Sequence, residues 1–246
     1  MPLSFDEIRA LPAGQLAEKL AGSPEEVAAI LEVAAEAGVA EAQALYGQIL
    51  LDGRGIAADP AMALRWFSEA AKTGHAMAIN MVGRCCEHGW GTRIDKGLAA
   101  RWYRAAADRG LDWGLYNLAT LHCLGEGVPL DRAAALDLYR RAAALGHAKS
   151  VNMIGGFYED GWVVERDMAA AADCYRRAAE GGDFRGQFNH ARMLLDAQEA
   201  EEAAIWLARM RETATPAFLA KADAWLSARR SPPIPHESTS GTGRPA

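Results

Sequence analysis

The chain has 246 residues, half of them hydrophobic and 24% charged, with a formal net charge of −6. An acidic balance with no basic stripe excludes nucleic-acid binding by simple electrostatics. No stretch reaches the ~18 apolar residues of a spanning helix, and the first twenty residues carry acids without an apolar run, so no membrane span or secretory signal is expected. The reading is a soluble, cytoplasmic chain.

Residues 1–37 read as a capping segment. Ser4 and Glu7 can form a capping box for a short helix ending near Pro12, and a second helix should cover Gln15 to Leu20. Ser23-Pro24-Glu25-Glu26 is a strong helix start, with serine as cap and proline at the first helical position. The helix predicted from Pro24 to Ala37 places Val27, Ile30, Leu31, Ala34 and Ala35 on one face.

From there glycines at 38, 74, 110, 146 and 182 each open a block, and the blocks are 36 residues long until the fifth. The units are therefore 38–73, 74–109, 110–145, 146–181 and 182–211. Such a period marks an array whose units bury their apolar faces only against neighbours. Each block should hold two helices. The first carries a small residue at a fixed place: Gly47, Gly83, Ala119, Gly155, Ala191. A loop with paired glycines follows (53 and 55, 89 and 91, 125 and 127), although block four has Gly161 and then Val163. Asp59, Asp95, Asp131 and Asp167 should cap the second helix. That helix carries Phe67, Tyr103, Tyr139 or Tyr175, then paired alanines where helices can touch.

Block five lacks the glycine loop. Its helices should run Phe184–Leu195 and Ala200–Arg211, with Trp206 replacing the earlier tryptophans. A capping helix at 212–230, centred on Pro216 to Ala228, should close the stack. The tail 231–246 is rich in Pro, Ser, Thr and Gly and reads as disordered.

A block such as Gly146-His147-Ala148, Ile154-Gly155, Tyr158, Gly161, Asp167, Ala171, Tyr175 and Ala178-Ala179 resembles the Sel1-like repeat, a relative of the tetratricopeptide repeat. Block two repeats it with Gly74-His75-Ala76, Gly83, Gly89-Trp90-Gly91, Asp95, Ala99, Trp102-Tyr103 and Ala106-Ala107. Cys86 and His122 depart from the family's usual tyrosine. The resemblance implies an all-α, right-handed α-solenoid of antiparallel helix pairs with a concave groove. It also implies a bacterial, non-enzymatic adaptor or scaffold for a protein or peptide partner. A few relatives resemble penicillin-binding or weakly β-lactam-hydrolysing proteins, but no Ser-x-x-Lys supports that here. Self-association through exposed faces is a further alternative, beside a monomer.

By the tetratricopeptide analogy, the first helix of each pair lines the groove. That places Met77, Trp113, Lys149 and Arg185 inside at the fourth position and Asn80, Tyr116, Asn152 and Phe188 at the seventh, with Asn117 beside them. Arg84 and Arg192 follow at the eleventh position, Glu87 and Glu159 at the fourteenth. Asn80 and Asn152 could hold a peptide backbone, Trp113 and Tyr116 could anchor it, and Lys149, Arg185 and Arg192 could attract acidic groups. An ordinary solvated strip is the alternative.

Trp90 and Trp162 share a loop position, and either meet a partner or, as favoured, fold back over the glycine turn and the next unit. Cys85, Cys86, His88, His122 and Cys123 form the one metal-like cluster, but their spacing favours buried cysteines over a zinc site. Cys174 shares no repeat position with them, so a disulfide framework is not expected. His75 and His147 read as junction residues, and no nucleophile accompanies them. No cofactor, metal or catalytic residue is expected.

Overall fold

The structure, a computed structural model, describes residues 3–230. The tail read as disordered, 231–246, lies outside the described residues. The described chain is helical throughout: α1 Phe5–Ala10, α2 Ala13–Leu20, α3 Pro24–Glu36, α4 Ala40–Asp52, α5 Pro60–Lys72, α6 Ala76–His88 and α7 Lys96–Ala107. It continues with α8 Asp112–Leu124, α9 Arg132–Ala144, α10 Ala148–Asp160, α11 Met168–Glu180, α12 Phe184–Asp196, α13 Ala200–Thr213 and α14 Pro216–Arg230. From α2 to α13 each helix packs on its sequence neighbours, and α1 packs on α3, which gives a tandem solenoid. Among the described residues no helix is long and apolar enough to cross a membrane.

Local chemistry sets the boundaries. Both predicted capping boxes form, Ser4 with Glu7 and Ser23 with Glu26. Asp59, Asp95, Asp131 and Asp167 each accept a backbone N–H at the start of α5, α7, α9 and α11. The even-numbered helices α4 to α10 end on a left-handed glycine.

Packing follows from size. A Cβ on Gly83 would lie 2.7 Å from Tyr103 Cε1, and one on Gly155 would lie 2.6 Å from Tyr175 Cε1. The small residue is thus the seat of the aromatic ring from the second helix. Phe67, Tyr103 and Tyr139 are fully buried, and each ring contributes roughly 1.5–3 kcal/mol by leaving water. The first of each alanine pair (Ala70, Ala106, Ala142, Ala178) is also fully buried. The next unit's fifth residue packs there and is small: Ala78, Gly114, Ser150, Gly186.

The loops lock one unit on another. A Cβ on Gly127 would come within 2.2 Å of the Lys96 carbonyl carbon, so this loop lies directly on the start of the preceding α7. Val163 stands at the matching place in the next loop and keeps the left-handed backbone, with φ 55°.

Several readings are refined. The helix predicted to end at Leu195 ends at Asp196, and the one predicted to end at Arg211 runs to Thr213. Trp206 meets His190 edge-on at 5.4 Å, as Trp66 meets Tyr46 at 5.9 Å, which supports its equivalence to the earlier tryptophans. The Trp162 indole packs on Phe157 and lies under Arg132 of the preceding unit, not over the next one. Cys85 is fully buried, and burial pushes its thiol up to about 12. Among the described residues no three His, Cys, Asp or Glu side chains converge as metal ligands.

Candidate binding surface

The first helices of the pairs, α4, α6, α8, α10 and α12, present a common face. α10 also packs against α12, a contact between first helices two elements apart. The field of Arg84 in α6 reaches Lys149 in α10, and those of Glu87 and Arg185 reach Tyr116 in α8. Charges from alternate units converge on this face, as expected if it is the inside of the curve.

Its centre is aromatic. Trp113 and Tyr116 stand edge to face at 6.0 Å, and the His147 ring closes on both, at 4.6 and 4.9 Å. Lys149 Nζ lies 4.6 Å from the centre of the Trp113 ring, a cation–π contact. Trp113 and Tyr116 are half-buried, not free-standing. Burial raises the Tyr116 phenol and lowers the Lys149 ammonium. His147 Nδ1 accepts from Ser150 N at 3.3 Å and meets Ser150 Oγ at 2.9 Å. Its Nε2 is buried with no hydrogen-bond partner and abuts the aromatic pair.

The asparagines have a different place from the one expected. Asn80 is 2% exposed, and its Oδ1 accepts from Asn117 Nδ2 at 3.0 Å. Asn152 repeats this with Asn189 Nδ2 at 2.9 Å. Buried amides must pair, and here they pair across successive units, so their Oδ1 atoms are not open to a peptide.

Two further expectations change. Arg192 forks onto both oxygens of Glu159 at 2.7 and 2.6 Å, so its charge is neutralised within the fold. Phe188 is covered by the chain's own α14: Phe218 and Trp225 both meet its ring at 5.6 Å. Of the four groove cations, Arg84, Lys149 and Arg185 form no ion pair with the described residues. Arg84 lies 5.0 Å over Trp90, and Arg185 lies 4.6 Å over Phe184. Met77 is exposed. Asp183 is buried, donors reach only its Oδ2, and burial raises its carboxyl.

Sequence reasoning missed the capping role of the second residue in three of the five units. His75, His147 and Asp183 are side-chain caps of α6, α10 and α12. Their recurrence just before a first helix was the available signal. It also missed that fourteenth-position acids serve tyrosines: Tyr103 Oη donates to Glu87 and Tyr175 Oη to Glu159. A hollow of about 830 Å³ lies elsewhere, at the start of α13 between Gln198 and Arg209, and is shallow.

The family model described as the Sel1 repeat matches residues 40–75, 76–111, 114–147 and 148–183. Among solved structures, a Sel1 repeat protein from Oxalobacter formigenes is 26% identical with a TM-score of 0.67, covering 73% of this chain and 75% of that one. The protective antigen c5321 of uropathogenic Escherichia coli, titled as displaying an SLR fold, is 27% identical with a TM-score of 0.65, covering 90% of this chain and 50% of that one. The immunity protein Pa5087 from Pseudomonas aeruginosa shares the fold at 18% identity and a TM-score of 0.57, covering 85% of this chain and 84% of that one. No curated protein matches the chain.

Proposed function

The chain belongs to the Sel1 repeat family, and from that premise we propose that it is a non-catalytic adaptor whose first-helix face holds an acidic segment of a protein partner. Members of the family typically serve as protein-interaction scaffolds. One observation carries the choice of ligand charge. Arg84, Lys149 and Arg185 stand on one face without ion-pair partners, around half-buried Trp113 and Tyr116, in a chain of net charge −6. A half-buried ammonium such as Lys149 is held below its ordinary value by lost hydration, so an incoming carboxylate restores what burial removed. The rigid stack keeps these groups in fixed register, which lowers the ordering cost of capture.

The test is an array of acidic, neutral and basic peptides probed with the wild type, Lys149→Glu and Arg185→Glu. Acidic peptides should be retained by the wild type, with affinity falling as salt rises, and lost by both variants at unchanged helical content. Equal capture of neutral peptides, or variants that keep the wild-type profile, would refute the reading.

A further inference from the structure

Two units of the array carry the same carboxylate–tyrosine pair in two states. In the fourth unit Glu159 Oε2 accepts from Tyr175 Oη at 2.6 Å, and Arg192 from the next unit closes the carboxylate with a two-pronged fork. In the second unit Glu87 Oε2 accepts from Tyr103 Oη at 2.5 Å. Burial keeps both phenols protonated, so both act as donors. Thirty-three residues separate Glu159 from Arg192, and the same step from Glu87 arrives at Thr120. Thr120 cannot supply the fork. Its hydroxyl donates to its own helix at Tyr116 O and meets Tyr139 Oη at 3.1 Å.

Glu87 therefore has the burial of Glu159 without a guanidinium on it. Its side chain is 19% exposed, against 21% for Glu159 under its arginine. His88 Nε2 stands 4.0 Å from the same Oε2 that Tyr103 already uses. Arg84, one turn earlier on α6, is turned to Met81 Sδ and the Trp90 ring. Oε1 accepts no hydrogen bond from the described residues. The Tyr116 phenol lies within the field of Glu87.

We propose that Glu87 is the seat for a guanidinium of the partner, which docks there as Arg192 docks on Glu159. The chain displays the bound state of this site once, in cis, and leaves the second copy open. A planar guanidinium is favoured over an ammonium because it can address both carboxylate oxygens at once while Tyr103 holds one of them. The inference deepens the reading above, since the seat lies on the same face. The partner segment is then mostly acidic with one arginine, the acids meeting Arg84, Lys149 and Arg185.

The probe is N-acetyl-arginine amide, with the citrulline analogue as its neutral match, titrated into the full chain carrying ¹³C-labelled glutamate carboxyls. The Glu87 signal should shift saturably with the arginine probe and not with citrulline. Binding should weaken about ten-fold or more in Glu87→Gln, the scale of a charge-assisted hydrogen bond. Thr120→Arg should fill the seat in cis and abolish the shift. Arg192→Ala should open a second seat, read at Glu159. A linear Glu87 response, an equal response to citrulline, or binding unchanged in Glu87→Gln overturns the proposal. Should Thr120→Arg fail to fold, the glutamine variant and the Arg192→Ala arm still decide it. Lys149→Glu should leave the arginine seat intact, so loss of acidic-peptide capture and loss of this seat are separately visible.

Discussion

Removing Arg192 measures what one unit gives the next. Its guanidinium donates to both oxygens of Glu159 at 2.7 and 2.6 Å, and Tyr175 adds a third bond at 2.6 Å. Both charged side chains are 21% exposed, so water screens the pair only in part. A charge-assisted hydrogen bond contributes roughly 1.5–3 kcal/mol, and stripping one partner from a fully buried pair costs roughly 3–5 kcal/mol. Discounted for solvent access, Arg192→Ala should cost about 2 kcal/mol at neutral pH. The hydrogen bonds from Arg192 are the main reason the Glu159 carboxyl is held below its ordinary value. A group whose folded pKa is depressed stabilises the fold above its unfolded pKa, and loses that effect as pH falls through the folded value. The cost of the substitution should therefore be full at neutral pH and vanish once acid protonates Glu159. Urea unfolding followed by circular dichroism, with Glu159→Gln as the second corner of a double-mutant cycle, reads the coupling. Because a solenoid is stabilised by nearest-neighbour interfaces, faster amide exchange should concentrate in α12 and α13. A loss below about 0.5 kcal/mol, as for an ordinary surface pair, or a loss unchanged by acid would refute the reasoning.

Other positions give equally direct tests. Gly127→Ala puts a Cβ 2.2 Å from the Lys96 carbonyl carbon at φ +71°, and should lower stability by about 2 kcal/mol or more in chemical denaturation. Val163→Gly relieves a β-branched residue at φ 55°; after the entropy cost of glycine the melt should show a net gain of roughly 0.5–1 kcal/mol. Asn117→Ala removes the donor to buried Asn80 Oδ1 and should cost about 1–2 kcal/mol, while Asn117→Asp should not restore it. Replacing Trp113 and Tyr116 together by alanine should lower the melting temperature as well as binding, since both pack on buried His147. That makes Lys149 and Arg185 the cleaner probes of capture.

The helices were legible because their signals are local. Asp at the start of the second helix, glycine at the end of the first and the small residue facing an aromatic recur every 36 residues, and each acts through groups within its own unit. The surface was less legible because its state depends on pairs 33 to 37 residues apart. Position alone grouped Arg192 with Lys149 and Arg185. Only contact with Glu159 separates a neutralised arginine from free ones. Phe188 likewise sits at a groove position, yet α14 covers it through Phe218 and Trp225.

The sequence by itself determined the repeat, the helices, their caps and the family, because backbone hydrogen bonding and side-chain size are satisfied within one unit or against an identical neighbour. The tertiary structure alone decided which polar side chains remain free. Asn80 and Asn152 find partners in the following unit and Arg192 in the preceding one, while Glu87 has Thr120, not an arginine, at the position matching Arg192. Periodicity fixes where a residue stands, but whether its charge is answered depends on one particular residue in the adjacent turn.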